Sequence, residues 1–142
     1  IIDEYVKDIR MEVILDGSFD YVVDAIDTLS PKIFLIYHAM QKGLPLVSSM
    51  GSGGKLDPSQ IEIADISKSY NCKLAYLLRK KLRKLGVEQG FKVVFSAEQV
   101  NKDLIVPLEG ERNKKSTVGT ISYIPAIFGC MLASVVIRDL IE

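Results

Sequence analysis

The sequence predicts an α/β fold in which a parallel strand–helix–strand unit is extended by mixed or antiparallel strands and closed by a C-terminal helix. The first observation is a pair of apolar runs, at residues 21–26 and 44–49, separated by a helical segment. Apolar strands joined through a helix are typical of parallel strands that are buried on both faces. The second observation is the apolar stretch at residues 124–141, which is long enough for a final helix.

Length and composition fit one soluble globular domain. The chain has 142 residues, of which 48% are hydrophobic and 25% charged, and this excludes a disordered or fibrous protein. Two cysteines are too few for a disulfide framework, so we predict a reducing, cytoplasmic setting. The chain opens on Ile1-Ile2, which resembles the tail of a strand, and we interpret this start as a cut within a longer protein.

The elements follow one another with recognisable start and stop signals. Ser30 and Pro31 supply a hydroxyl cap and a proline at the first helical position, and Gly43 ends the same helix. Alternating residues at 60–66 predict a strand with one solvated face, and leucines at helical spacing predict an amphipathic helix at 73–85. The remaining predictions are a short helix at 10–15, a strand at 91–96 and a mobile loop at 102–117.

Asp27 is the leading candidate for a catalytic residue. It follows the first apolar run, where the carboxyl end of a parallel strand should lie, and α/β proteins bind ligands at that edge of the sheet. A carboxylate there can hold magnesium together with phosphates. The alternative is that Asp27 caps the following helix, with Thr28 and Ser30 as neighbours. Asp24 is predicted to be structural, because alternation along the strand turns it to the other face.

A glycine-rich segment, GSGGK at residues 51–55, follows the second apolar run. A phosphate-binding loop needs glycines that open a helix, whereas these glycines lead into LDP and then a strand. Their spacing also fits neither of the common nucleotide-binding glycine motifs. We therefore predict a turn that uses positive φ angles rather than a cradle for ATP.

Charge is distributed unevenly, although the chain has no net charge. Residues 1–31 hold eight acids against two basic residues, a balance of −6, whereas residues 73–84 hold six basic residues and no acid. The six are Lys73, Arg79, Lys80, Lys81, Arg83 and Lys84, and a second basic cluster consists of Arg112, Lys114 and Lys115. Such a surface is either the solvated side of a helix or a contact surface for the phosphate backbone of RNA. The lack of interleaved aromatic residues favours backbone contact over base stacking.

Zinc and cysteine chemistry are not predicted, and neither is a membrane. The chain has no C-x-x-C pair and one histidine, His38, so cysteine and histidine cannot assemble a tetrahedral zinc site. We interpret Cys72 and Cys130 as inert. The apolar segment 121–137 contains serines and a proline and is shorter than the ~20 residues that a spanning helix needs. A buried core helix is expected there.

Five sequence blocks resemble adenylating enzymes related to ubiquitin-activating enzymes, and most of all the branch of tRNA threonylcarbamoyladenosine dehydratases. In chain order the blocks are DYVVDAID, SPKIFLIYHAM, PLVSSMGSGGKLDPSQI, VVFSAE and YIPAIFGCMLASVVI, and they span nearly the whole chain. The resemblance implies a partial Rossmann-like fold. It also implies that residues 1–142 are a single domain, the C-terminal portion of an adenylating domain, without the N-terminal half that binds the nucleotide.

The resemblance further implies roles for individual residues. Asp27 would hold Mg²⁺ and the triphosphate of ATP while a carboxylate is adenylated, and Gly51, Gly53 and Gly54 would line the substrate crevice. In the dehydratase branch the carboxylate belongs to the threonylcarbamoyl group of an adenosine in tRNA, and ring closure expels AMP. The implied cofactors are ATP and Mg²⁺ without zinc, and the implied partners are tRNA and a second copy of the chain.

Two alternatives remain open. One is adenylation of the C-terminal glycine of a ubiquitin-like sulfur carrier, as in thiamine or molybdopterin synthesis, which would add a carrier or sulfur-donor protein as a partner. The other is a non-catalytic RNA-binding module. Because the other nucleotide-binding residues of the family would precede Ile1, we expect the isolated chain to be inactive.

Overall fold

The computed structural model describes residues 2–4, 6, 9–100, 105–107 and 116–142. Its centre is a four-stranded sheet of order β1-β2-β4-β3, formed by β1 (Val22–Asp24), β2 (Leu46–Ser49), β3 (Ile61–Asp65) and β4 (Lys92–Ser96). β1, β2 and β4 run parallel, whereas β3 pairs with β4 in the antiparallel sense. The predicted parallel unit and its antiparallel extension are therefore confirmed.

Helices cover both faces of this sheet. They are α1 (Ile9–Ile14), α2 (Leu29–Gln41), α3 (Lys73–Arg83) and α4 (Tyr123–Ile141). Side chains from α1, α2 and α3 form the larger core with Val93, and α4 forms a smaller core with Val94. Successive residues of a strand point to opposite faces, so β4 is buried on both faces and is apolar from Val93 to Phe95. This explains why the strand reads as a continuous apolar run.

α2 begins two residues earlier than the sequence predicts. Its first residue is Leu29 and its N-cap is Thr28, whose side chain makes no capping hydrogen bond. The predicted hydroxyl cap at Ser30 is wrong, because Ser30 and Pro31 both lie within the first turn, where proline is tolerated. The predicted end is confirmed, since Gly43 follows the helix with a φ of +66°.

Two further predictions are corrected. The predicted mobile loop contains β5 (Ile105–Pro107) and β6 (Ser116–Val118), which pair antiparallel, and its other residues lie outside the described part of the chain. The strand pair was not predicted because Pro107 indicates a loop, although proline is acceptable at the end of an edge strand. At the start of the chain, Ile2 is not in a strand and Ile1 is outside the described residues.

α4 is buried on one face only. Ile124, Phe128, Leu132 and Val135 are buried against the sheet, whereas the opposite face is exposed and includes Ile137. The expectation of a buried core helix holds for this one face, which packs against β2 and β4, and not for the exposed face. Among the described helices, α4 alone is long and apolar enough to span a membrane by length and composition, with 22% of that stretch buried.

Candidate functional site

The parallel strands β1, β2 and β4 end at the same side of the sheet. We call residues 24–28, 49–55 and 96–98 the carboxyl edge. The register pairs Asp24 with Ser48 and Ser49 with Val94, so the three strand ends are adjacent. Ligands of open α/β sheets bind just beyond such strand ends.

Asp27 lies on the turn between β1 and α2, and its side chain is exposed. Because the N-cap of α2 is Thr28, the interpretation of Asp27 as the helix cap is wrong. Burial lowers the pKa of Lys32, and the negative charge of Asp27 is among the smaller effects that oppose this shift. Asp27 therefore lies at the carboxyl edge, as the sequence predicts, and its catalytic role stays a prediction.

A buried ion pair supports the turn that holds Asp27. Asp24 Oδ2 lies 2.6 Å from Lys32 Nζ, and both side chains are 0% exposed. Ser48 donates its hydroxyl to the same carboxylate, and the N–H of Ile26 donates to Oδ1 at 3.0 Å. Burial lowers the pKa of Lys32, and the negative charge of Asp24 opposes this shift. The prediction that Asp24 is structural agrees with these contacts, which join β1, β2 and α2.

The glycine segment forms an open turn between β2 and a 3₁₀ turn at Pro58–Gln60. Gly54 has a φ of +70°, which glycine adopts without steric cost, and its N–H donates to the carbonyl of Gly119 at 2.8 Å. No α-helix of the described residues begins within this segment, so the phosphate-loop geometry is absent there. Gly51, Gly53 and Gly54 lie at the carboxyl edge, and their contact with substrate stays a prediction.

Lys55, at the end of the glycine segment, is 1% exposed. Its ammonium donates to the carbonyl oxygens of Asn71 at 3.1 Å, Ser96 at 3.2 Å and Glu98. Burial lowers the pKa of Lys55, and the negative charge of the nearby Glu98 is among the effects that oppose the shift. One ammonium thus links the glycine turn to the segment before α3 and to the end of β4.

Glu98 holds the same turn from its other side. Its carboxylate accepts the N–H groups of Leu56 at 2.7 Å and Asp57 at 2.9 Å. Sequence reasoning missed Lys32, Lys55 and Glu98 as parts of the site. The sequence did contain a signal for Lys32, because a lone cation in an apolar stretch eight residues after Asp24 indicates a buried ion pair. It contained no such signal for Lys55, which resembles an ordinary turn residue.

Cys72 is a buried thiol at the start of α3. It is the N-cap residue of α3, 8% exposed, and its Sγ accepts the N–H of Ala75 at 3.5 Å. A negative charge on its sulfur would raise the pKa of both Lys32 and Lys55. A Cβ added at Gly51 would lie 4.0 Å from Sγ, so the thiol packs on the glycine turn. The interpretation of Cys72 as inert stays a prediction.

The basic residues of α3 begin beside Cys72 and extend away from the carboxyl edge. The exposed ones, which we call the basic face, are Lys73, Lys80, Lys81, Arg83 and Lys84. Arg79 differs, because it is half-buried and donates to the carbonyl of Ser69 at 2.7 Å and to the hydroxyl of the same serine. Arg112, Lys114 and Lys115 lie outside the described residues, so their relation to the basic face stays a prediction.

The donor groups at the carboxyl edge fit a magnesium ion that arrives with phosphates. No three His, Cys, Asp or Glu side chains in the described ranges cluster as a metal site. Asp24 is buried in contact with Lys32 and Ser48, and the side chain of Asp27 is exposed. Mg²⁺ keeps several waters and commonly takes one or two carboxylates plus phosphate oxygens, so one carboxylate is sufficient.

Known proteins resemble this chain in both sequence and structure. The ThiF family model matches residues 2–142. The tRNA threonylcarbamoyladenosine dehydratase of Bacillus subtilis is 35% identical over 138 residues, which cover 92% of this chain and 54% of that protein. The crystal structure of Escherichia coli tRNA N6-threonylcarbamoyladenosine dehydratase, TcdA, in complex with ATP superposes with a TM-score of 0.84 at 28% identity. That match covers 99% of this chain and 55% of the other.

A second structure of the E. coli enzyme, in complex with AMP, gives a TM-score of 0.83 at 28% identity. This chain therefore spans about half the length of the relatives described here. The superposition includes the sheet, its carboxyl edge and α4, and it confirms the expected Rossmann-like fold. Since the family model matches almost every residue, the chain belongs to the ThiF family.

Proposed function

We propose that this chain forms one half of the active site of an ATP-dependent adenylating enzyme that dehydrates and cyclises threonylcarbamoyladenosine in tRNA. The observation that carries the proposal is the position of Asp27, exposed on a turn at the carboxyl edge beside a buried ion pair. The dehydratase activity named for its relatives supports the choice of substrate. The cofactors proposed are ATP and Mg²⁺, and the setting proposed is cytoplasmic.

The chemistry requires activation of a carboxylate followed by ring closure. A carboxylate oxygen of the threonylcarbamoyl group attacks the α-phosphorus of ATP, and the bond to pyrophosphate breaks. A nucleophilic atom of the same group then attacks the activated carbonyl carbon, closes the ring and expels AMP. Asp27 would hold Mg²⁺ against the phosphates, which neutralises the charge that develops during the first step. The glycine turn would position the modified base, because a fixed geometry lowers the entropic part of the barrier.

The outer edge of β1 supports a further part of the proposal. Among the described residues β1 pairs with β2 alone, so one side of this parallel strand presents open hydrogen-bonding groups. We propose that additional parallel strands pair there and bring the glycine-rich loop and the remaining triphosphate ligands. The similarity in overall shape to a relative about twice as long supports this arrangement.

Two partners complete the proposal. The basic face would contact the phosphate backbone of tRNA, since it presents exposed cations of one sign. The exposed side of α4 would contact a second copy of the chain, because it combines apolar residues such as Ile137 with small residues at Gly129 and Ala133. A carrier or sulfur-donor protein is not needed for the dehydration.

The test uses the full-length protein with ATP, Mg²⁺ and tRNA that bears threonylcarbamoyladenosine, and it follows the release of pyrophosphate and AMP. Asp27→Asn should lower kcat about a hundredfold or more, the scale of losing one electrostatic contact to the transition state. Asp20→Asn is the matched control, because Asp20 is also an exposed carboxylate and it precedes β1 rather than following its carboxyl end. The control should keep the wild-type rate.

Three outcomes would contradict parts of this proposal. Release that depends on a ubiquitin-like carrier rather than on tRNA would favour adenylation of a sulfur carrier. Equal rates for Asp27→Asn and the wild type would remove Asp27 from the site. Saturable binding of ATP and Mg²⁺ to the 142-residue chain in a calorimetric titration would overturn the division of the nucleotide site between two halves.

A further inference from the structure

A polar hollow lies beside the C-terminal half of α3, outside the carboxyl edge. It is lined by Ser67, Arg79, Arg83, Glu88 and Gln89, and we call it the arginine hollow. The two arginines are four residues apart, so they share one face of α3 with a rise of about 6 Å between them. Two guanidinium groups that converge on an open polar hollow are the arrangement that binds phosphate oxygens.

Arg79 is held in place before any ligand binds. One terminal nitrogen of its guanidinium donates to the carbonyl of Ser69 at 2.7 Å and to the Ser69 hydroxyl. Ser69 is itself buried, and its hydroxyl donates to the carbonyl of Ile66 at 2.7 Å. The other guanidinium N–H groups of Arg79 make no hydrogen bond to the described residues, and the side chain lines the hollow. A fixed arginine loses little rotamer freedom on binding, which favours affinity.

Arg83 has a competing partner inside the hollow. Its Nε lies 3.4 Å from Glu88 Oε1, and the two side chains are 72% and 65% exposed. An exposed pair of this kind contributes little to stability, so a phosphate can replace the carboxylate at small cost. Glu88 therefore competes with a bound anion for the guanidinium of Arg83.

The other charges near the hollow do not cancel the two arginines. Asp65 lies behind Ser67 and accepts the Ser67 N–H, the Ser67 hydroxyl and the N–H of Gly90. Partial burial works to raise the pKa of Asp65, but these hydrogen bonds and the charge of Lys68 outweigh it and lower the pKa. With Arg79, Arg83 and Lys68 against Glu88 and Asp65, the surroundings hold one positive charge in excess.

We propose that the arginine hollow is a subsite for one phosphodiester group of an RNA backbone. Arg79 is the donor that is already held in place by Ser69. Arg83 becomes the second donor when the phosphate replaces Glu88 as its partner. The proposal rests on the proposed tRNA function and adds a defined contact to it. The subsite continues the basic face, because Lys80 and Lys84 each follow one of the two arginines on the same helix. It differs from that face in having a preformed geometry.

The experiment measures the affinity of the full-length protein for tRNA at several salt concentrations. Arg83→Gln should weaken binding about tenfold at low salt, because it removes a charge-assisted hydrogen bond. It should also reduce the slope of log K against log salt by about 0.7 to 0.9. Glu88→Gln should strengthen binding severalfold, an effect that a merely structural residue would not produce. Arg10→Gln is the matched control, since Arg10 also forms an exposed ion pair, with Glu4, on a different helix.

The failure of this inference can be told apart from the failure of the proposed function. Unchanged affinity in both Arg83→Gln and Glu88→Gln, with tRNA binding intact, would overturn the subsite and leave the tRNA function standing. Absence of tRNA binding in the wild type would contradict the proposed function and the RNA assignment together. Titration with inorganic phosphate, followed by the NMR amide signals of Ser67 and Gln89, should show shifts that are abolished in Arg83→Gln. No shift in the wild type would overturn the phosphate site itself.

Discussion

The carboxyl edge and the basic face both contain lysines, but the fold places those lysines in opposite environments. Lys32 is 0% exposed and Lys55 is 1% exposed, and each ammonium is held by oxygen atoms of the protein. Lys80, Lys81 and Lys84 are exposed on α3. A buried charge requires internal partners, whereas an exposed charge keeps water that a ligand can replace.

This difference separates positioning from binding. The buried lysines fix the β1–α2 turn and the glycine turn, and so they determine where Asp27 and the glycines lie. The exposed lysines fix nothing in the described structure and are available to a partner. We therefore expect that substituting a buried lysine at the carboxyl edge lowers the free energy of unfolding. Substituting an exposed lysine of the basic face should instead weaken the binding of a ligand.

The largest effect is expected at Lys32. Lys32→Met leaves Asp24 charged and buried without its cation, and breaking such a pair costs about 3–5 kcal/mol. Lys42→Met is the matched control on the same helix, because Lys42 pairs with an exposed Asp16 and should cost at most about 1 kcal/mol. Urea unfolding followed by circular dichroism measures both changes.

A double variant sharpens this comparison. Asp24→Asn combined with Lys32→Met removes both charges, so it should recover part of the stability that Lys32→Met loses. The Asn side chain can still accept the hydroxyl of Ser48 through its carbonyl oxygen. Equal losses for Lys32→Met and Lys42→Met would show that burial does not distinguish the two ion pairs.

A smaller loss is expected at Lys55. Lys55→Met leaves the carbonyls of Asn71, Ser96 and Glu98 without this donor, and an unsatisfied buried group costs about 1–3 kcal/mol. Water that enters the site would bring the loss toward the lower value. Lys84→Met on the basic face is the control and should change the free energy of unfolding by less than about 0.5 kcal/mol.

The pH dependence of stability gives a second measure of Lys55. Burial lowers its pKa from the usual 10.5, so between the lowered value and 10.5 the unfolded chain binds more protons than the folded one. The free energy of unfolding should therefore rise with pH in that interval, and the rise should be smaller in Lys55→Met. Comparing the two proteins at each pH cancels the opposite effect of Tyr21, whose pKa burial raises. Identical slopes would mean that Lys55 is not buried in solution.

Much of the fold could be predicted from the sequence, because strand alternation and helical spacing are local properties. The apolar runs predicted β1, β2 and β4, and the leucine spacing predicted α3. The boundary errors also have local causes. β1 ends at Asp24 rather than Ile26, because Asp24 accepts the Ile26 N–H and turns the chain there.

The site could be predicted only in part, because burial depends on contacts between distant residues. Asp27 was found from its place after a strand, which is a local signal. The ammonium of Lys55 donates to the carbonyls of Ser96 and Glu98, which are more than 40 residues away in the sequence. No local sequence pattern predicts such a contact. Arg79 looked like part of the basic face, yet its bond to Ser69 fixes it at the edge of the arginine hollow.

The smallest effect on stability, and the clearest effect on binding, is expected at the basic face. Replacing Lys80, Lys81 and Lys84 together with Gln keeps helix propensity nearly constant, so each change should alter the free energy of unfolding by less than about 0.5 kcal/mol. The affinity for tRNA should fall, and the slope of log K against log salt should decrease by about 0.7 to 0.9 for each phosphate that the protein no longer neutralises. Lys92→Gln is the control, because Lys92 is an exposed lysine that pairs with Asp139 of α4, away from α3. Unchanged affinity in the triple variant would mean that these lysines are only solvated and that the tRNA surface lies elsewhere.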